Sequence, residues 1–458
     1  MYIKADIIKD ILEETIGHGK RDIDEILQKG LEKKGLSYRD VATLLQVSEK
    51  KQLDKIYKAA GKIKKDIYGD RIVLFAPLYI SDYCVNNCLY CGYKRDNNFK
   101  RQRLNQKQIE EEVILLENMG HKRLALEVGE DPVNCDIDYV LEGIETIYST
   151  YSKQGDIRRI NVNIAATSVE NYKKLKQADI GTYILFQETY HKPTFQRVHA
   201  NSKKGNYDYH LKAFDRAMEA GIDDVGGGVL FGLADYKFEI LALMMHNLHL
   251  ENQYGVGFHT ISVPRLKKAE GMDINDFPHI LDDESFKKIV AILRLAMPYT
   301  GLILSTRETP EMRKEVIEYG VSQISAGSCT GVNAYKNSAE GGENKQFDVD
   351  DNRAPIEVLK ELVDCGHIPS YCTSCYRKGR TGEKFAKMAK EGEIQNVCTP
   401  NALITFMEFI LNYGDRELLE KGEKLVYSKV KEISSNELRR RTLNCLKMVY
   451  DGKRDIFL

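Results

Sequence analysis

The chain has 458 residues, with 67 Lys plus Arg against 68 Asp plus Glu, a formal net charge of −1. That balance leaves no surplus of positive charge for a phosphate backbone, which excludes general nucleic-acid binding. A charged fraction of 29% beside a hydrophobic fraction of 42% suits a soluble globular protein, and no apolar run reaches membrane-spanning length, so no membrane partner is expected. The opening MYIKADIIKDILEE sets acids inside its apolar stretch and has no cleavage signal, from which a cytoplasmic location is expected.

Residues 1–70 read as a helical extension, with Ile7, Ile8, Ile11 and Leu12 at helical spacing and Ser37 with Asp40 as a capping box ahead of VATLL. From residue 71 the pattern changes to short β-rich runs: RIVLFAP (71–77), RLALEV (123–128), RINVNIAA (159–166), TYILFQE (182–188), DVGGGVLFG (224–232), HTISVP (259–264), GLILSTR (301–307) and SQISAG (322–327). Helical stretches separate them, and strands alternating with helices pair in parallel through right-handed crossovers. Eight such units predict an α/β fold, a complete (β/α)8 barrel over 71–340. The polar segment SAEGGENKQFDVDDNR then leads into a helical domain, 341–458. In such a barrel, residues just past the strands gather at one mouth.

Ten cysteines in a chain without a secretion signal are expected to stay reduced. Cys84, Cys88 and Cys91 form a C-x3-C-x2-C loop past the first strand. Three thiolates so placed can hold three irons of a 4Fe–4S cubane and leave the fourth open to chelate the amino and carboxylate groups of a substrate or cofactor. A zinc knuckle that borrows a fourth ligand is the alternative. Cys372, Cys375 and Cys398 form a second trio, C-x2-C-x22-C, which on spacing alone also suits a zinc site closed by Cys365 or His367. Cys135, Cys329, Cys365 and Cys445 otherwise read as packing residues.

The first trio, with Tyr90 before its last cysteine, resembles the radical S-adenosylmethionine (SAM) superfamily. The resemblance implies that the open iron binds SAM and that an electron, delivered by a flavodoxin or ferredoxin, breaks its sulfur–carbon bond. Gly129-Glu130-Asp131-Pro132 resembles the loop that receives the SAM amino group, with Val128 where a first glycine is expected. Gly228 to Gly232, GVLFG, resembles the segment that approaches the adenine, and Glu188 is a candidate hydrogen-bond partner of SAM or substrate.

Both trios together resemble the radical SAM tyrosine lyases that mature FeFe-hydrogenase, through stretches such as APLYISDYCVNNCLYCGY, EVGEDPVNC, LFQETYH, HTISVPRL and PSYCTSCYRKGRTG. This implies cleavage of L-tyrosine to p-cresol and dehydroglycine, and conversion of the latter to carbon monoxide and cyanide on an auxiliary 4Fe–4S cluster with a labile iron. Free L-cysteine joins them in an Fe(CO)2(CN) precursor passed to a hydrogenase maturation scaffold protein. The implied ligands are Cys372, Cys375 and Cys398 for the auxiliary cluster and His259 for the labile iron, with Phe258 where the family pattern expects proline. Tyrosine also needs a guanidinium for its carboxylate. Arg307 is the candidate, Arg265 its alternative, and Ser305, Gln323 and Ser328 are supplementary hydrogen-bonding residues. Two rival readings remain, a tyrosine lyase of thiazole synthesis and a non-enzymatic iron–sulfur carrier.

Overall fold

The computed structural model describes residues 2–17, 23–153, 155–337 and 344–458. Four helices open the chain: α1 (Ala5–Glu14), α2 (Ile23–Leu31), α3 (Tyr38–Leu45) and α4 (Lys50–Tyr68). Helix α1 buries Ile8 and Ile11 and exposes Ile7, as helical spacing dictates. The capping box forms, since Ser37 Oγ accepts from the Asp40 N–H while the Asp40 carboxylate accepts from the Ser37 N–H.

Eight parallel strands follow where the β-rich runs predict them: β1 (Arg71–Ser81), β2 (Arg123–Val128), β3 (Arg159–Asn163), β4 (Tyr183–Ile184), β5 (Val225–Gly228), β6 (Thr260–Ser262), β7 (Gly301–Leu304) and β8 (Gln323–Ser325). Strand β8 pairs back onto β1 in the register Val73 to Gln323, so the sheet closes into a barrel. Strands covered on both faces need apolar residues on both, which is why GLIL runs unbroken instead of alternating.

A ninth strand, β9 (Ile368–Ser370), pairs in parallel with Arg71–Val73 at the foot of β1. Three residues containing a proline carry no periodicity to read, so the sequence gives no sign of it. The tail is thus continuous with the barrel wall. It comprises α5 (Pro355–Asp364), the short turn Ser374–Arg377, α6 (Gly382–Lys390), α7 (Ile394–Tyr413), α8 (Arg416–Glu432) and α9 (Asn436–Tyr450). The central α7 packs on β9, α4, α8 and α9. Arg158 at the foot of β3 fastens it, with Nη2 2.5 Å from Glu408 Oε1 and both side chains 4% exposed. Removing one partner of such a buried pair costs about 3–5 kcal/mol. Of the polar segment that precedes the tail, 344–353 is irregular and 338–343 lies outside the described residues.

Strand β1 is long because its foot pairs with β9 and its upper half with β2. Alternate residues point inward and stack in layers: Val73, Arg123 and Gln323 at the foot, Phe75, Ala125, Ile303 and Ser325 above them, and Tyr79 and Glu127 near the mouth. From Val73 to Tyr79 is about 20 Å at about 3.3 Å per residue. Among the described residues, no helix is long and apolar enough to cross a membrane.

Candidate active site

The end of β1 runs into the loop that carries Cys84, Cys88 and Cys91, and all three thiols line one cavity at the barrel mouth together with Tyr90, Gly129, Glu130, Glu188, Lys204 and Arg307. The loop is fixed from both sides. The Val85 N–H donates to the Glu130 carbonyl (2.7 Å), Asn86 Nδ2 to Glu130 Oε2 (2.7 Å), and the Gly129 N–H to the Ser81 carbonyl (3.1 Å). A Cβ on Gly129 would collide with the Tyr83 carbonyl, so this close approach of two loops requires glycine. Burial pushes the Cys88 thiol well up and the Cys91 thiol to about 11, so both resist ionisation until a cation ligates them. Three such thiols around one cavity fit the donor set of a cubane with an open iron. His121, the first histidine downstream, is buried beside Tyr371 and is not among the residues lining this cavity, so it is no fourth knuckle ligand.

Glu188 adopts φ +64°, a conformation that non-glycine residues hold only where the surroundings over-determine it. Its carboxylate is 2.6 Å from Lys204 Nζ, which also donates to Tyr90 Oη (3.3 Å), and Tyr90 Oη is 2.7 Å from His199 Nε2. Burial works against the Lys204 charge, but Glu188 and Cys88 raise its pKa above the usual value and keep it cationic beside the thiols. Nothing in the KKG turn marks Lys204, and sequence reasoning missed it. Gly228 and Gly232 were expected at this cavity but do not line it; Leu230 between them does. The inward space at Gly228 is taken by the Phe186 ring, and Gly232 turns the chain at φ +118°.

Arg307 lines both this cavity and the barrel interior beneath it, where Ser305 and Ser328 also lie. Its guanidinium stacks 3.2 Å above the centre of the Phe347 ring, and among the described residues it makes no ion pair. Ser328 Oγ is buried and, among the described residues, has no hydrogen-bond partner. Burial raises Glu127 to about 8, against the opposing hydrogen bond from Asn163, so at neutral pH it is mainly a neutral acid. Arg265, by contrast, is consumed by Glu308 (Nε to Oε1, 3.0 Å) and Asp283 (Nη1 to Oδ1, 2.7 Å) and is structural. Gln323 is a correction. As the first residue of β8 it sits in the foot layer and lines the opposite cavity, away from Arg307.

That opposite cavity gathers Cys372, Cys375 and Cys398 with His259. Strand β9, paired to the foot of β1, delivers Cys372, and His259 is there because it precedes β6 instead of following it. The Cys372 thiol is raised by burial and accepts from the Ser374 N–H (3.4 Å). The Cys398 thiol is lowered by a hydrogen bond from Cys375, with burial opposing and Arg71 and Arg380 assisting. Neither Cys365 nor His367 lines the cavity, and His367 Nε2 is instead 2.8 Å from Glu318 Oε1. Among the described residues no three Cys, His, Asp or Glu side chains converge on one ion-sized point. A mononuclear zinc site needs all its donors within about 2.0–2.3 Å of one ion, whereas a cubane spreads its thiolates over separate irons. Phe258 packs against Gly227, and its N–H donates to Asn247 Oδ1 (2.8 Å), a bond that proline could not make. Arg71, Arg123, Arg380 and Asp224 also line this cavity. Arg380 falls within the PSYCTSCYRKGRTG stretch, whereas Arg71, Arg123 and Asp224 stand at strand feet and carry no motif.

Residues 78–244 match the radical SAM superfamily, and residues 262–368 the Biotin and Thiamin Synthesis associated domain. The 2-iminoacetate synthase of Salmonella typhimurium is 30% identical over 353 residues, 77% of this chain and 90% of that protein. The crystal structure of HydG, a maturase of the FeFe-hydrogenase, superimposes with a TM-score of 0.97 at 52% identity and covers 100% of both chains. HydG from Carboxydothermus hydrogenoformans gives 0.82 at 39% identity, covering 96% of this chain and 97% of its own. The synthase leaves about a quarter of the chain unmatched; the HydG structures account for nearly all of it. With a closed barrel, a cysteine trio at each end and matches along its whole length, the chain is a radical SAM enzyme and belongs to the HydG family of that superfamily.

Proposed function

We propose that the chain cleaves L-tyrosine to p-cresol and dehydroglycine at the barrel mouth. At the barrel foot it converts the dehydroglycine to carbon monoxide and cyanide, building an Fe(CO)2(CN) cysteine precursor for FeFe-hydrogenase. The observation that carries this reading is the pair of cysteine-lined cavities at opposite ends of one barrel, with Arg307, unpaired among the described residues, on the inner wall between them. The name of the Salmonella relative states a product, 2-iminoacetate, that is the dehydroglycine of this scheme.

When bound, the first cluster with SAM supplies a 5′-deoxyadenosyl radical able to take a hydrogen atom from the substrate. Cys84, Cys88 and Cys91 hold that cluster, and Glu130, fixed by Asn86, faces the amino acid end of SAM. Arg307 grips the tyrosine carboxylate through its paired N–H donors, with its plane set by Phe347. Ser305 and Ser328 orient the amino group, and Tyr79, Phe186 and Leu230 give the site an aromatic and apolar wall. Lys204 holds Glu188 in place and offsets the charge of the thiolates. At the foot, Cys372, Cys375 and Cys398, in a domain over 341–458, would hold the auxiliary cluster and His259 the labile iron, with free L-cysteine as a further ligand of the product. A flavodoxin or ferredoxin as reductant, a maturation scaffold as recipient and a cytoplasmic setting complete the reading.

The test is anaerobic reconstitution of the full chain with iron, sulfide, SAM, tyrosine and dithionite. It should release 5′-deoxyadenosine, p-cresol, cyanide and carbon monoxide, and Cys88→Ala should release none of them. p-Cresol without either diatomic would return the chain to the thiazole-type lyases, and no 5′-deoxyadenosine from the parent would overturn the lyase reading.

A further inference from the structure

Asp224 immediately precedes β5, and His259 immediately precedes the neighbouring β6. The parallel register sets Gly226 beside Thr260, and the His259 N–H donates to the Val225 carbonyl (2.9 Å), so the two side chains emerge together at the barrel foot. Asp224 Oδ2 lies 3.8 Å from His259 Nε2, too far for a hydrogen bond. Both carboxylate oxygens are buried and, among the described residues, have no hydrogen-bond partner, on a residue only 3% exposed that lines the cysteine cavity. A carboxylate so placed is strongly disfavoured unless a cation or donors reach it.

The hydrogen bonds made by the polar residues lining the same cavity go elsewhere. Arg71 Nε donates to the Tyr68 carbonyl (3.0 Å), Arg123 Nη2 to the Cys372 carbonyl (2.9 Å) and Arg380 Nη2 to Ser374 Oγ (3.1 Å). Tyr376 Oη is 3.3 Å from Thr182 Oγ1. The adjacent Asp223 accepts from Thr381 Oγ1 (3.1 Å) and so anchors the start of α6, which brings Phe385 over the His259 ring at 4.6 Å. Of two consecutive aspartates, one fastens a helix and the other is left bare toward the imidazole.

We infer that Asp224 is a second protein donor to the divalent iron held by His259. The inference rests on the functional reading given above. Metal–nitrogen and metal–oxygen bonds of about 2.0–2.2 Å together reach across 3.8 Å, and an imidazole with a carboxylate is a donor pair suited to ferrous iron. Two protein donors leave the remaining positions of the ion open to small ligands.

The test takes the holoenzyme with both cubanes rebuilt, removes the labile ion with a mild chelator and titrates ferrous iron back alone. It compares the parent with Asp224→Asn, Asp224→Ala and His259→Ala, counting bound iron and following the electron paramagnetic resonance signals of both cubanes. The Asp224 variants should bind the added iron about ten- to hundredfold more weakly while both cubane signals persist. Parent-like affinity in both Asp224 variants, with the ion lost from His259→Ala, overturns the role of Asp224 and leaves the site reading intact. Full retention of the ion in His259→Ala overturns the site reading itself. If Asp224→Ala loses the lower cubane signal through misfolding, the isosteric Asp224→Asn decides, and parent-like affinity there counts against the inference.

Discussion

Arg307 and Arg265 both follow barrel strands, and the sequence has no means of ranking them. What separates them is the company each keeps: Arg265 pairs with Glu308 and Asp283, whereas Arg307 stacks on the face of an aromatic ring and makes no ion pair among the described residues. Burial pulls the Arg307 pKa down, with Tyr79 and Glu188 pulling it back up, so its charge awaits an anion from outside the protein. Arg307→Gln should therefore keep uncoupled cleavage of SAM and bind tyrosine more weakly. Charged hydrogen bonds of this kind contribute about 1.5–3 kcal/mol, so kcat/KM for tyrosine should fall about ten- to hundredfold, with most of the change in KM. Steady-state p-cresol formation at varied tyrosine measures it, and an unchanged KM would move the carboxylate site elsewhere. At this scale the cysteines were legible because their spacing carries the chemistry. Lys204 and Asp224 were not, because each acts through one partner brought close by the fold alone.

Elements decide which end of the barrel a residue serves, through whether it stands at the start of its strand or beyond the end. Arg307 lies beyond the last residue of β7 and reaches the mouth; Gln323 is the first residue of β8 and serves the foot. Both stand beside an apolar run, and hydrophobicity does not mark where along the run the barrel layer falls. The same limit hid β9, whose pairing with β1 carries Cys372 to the foot cavity. That pairing also bears on the zinc alternative. Cys365 ends α5, and His367 is held by Glu318, both on the approach to β9 and outside the cavity. Cys365→Ser and His367→Gln should thus leave the iron and sulfide content of the lower cluster unchanged, whereas Cys375→Ala should lose it. Loss of the cluster from either of the first two variants would restore a closed four-ligand site.

On the proposed reading, the molecule as a whole divides one reaction sequence between two ends of a barrel. The eight strands were legible because burial on both faces writes itself as apolar runs, but the interior between the cavities was not. Its walls come from single inward residues of many strands, among them Phe75, Ala125, Ser262 and Ser325, which no linear pattern groups together. The foot and mouth layers of β1 are about 20 Å apart. At that distance, thiols at the foot have no contact with the groups proposed to grip tyrosine at the mouth. Replacing both Cys375 and Cys398 with Ala should therefore leave p-cresol formation within about twofold of the parent, the scale of a minor structural adjustment. Carbon monoxide should fall at least tenfold, because its formation is assigned to iron held at the foot. Parallel assays of p-cresol and of carbon monoxide trapped by a haem protein, on one preparation, measure the ratio directly. The fold must survive for the ratio to mean anything, and the Arg158–Glu408 pair that binds α7 to the barrel is independent of the thiols, so an unchanged thermal transition is the control. If p-cresol fell as far as carbon monoxide with that transition intact, the two ends would form a single catalytic unit and the division of labour would be wrong.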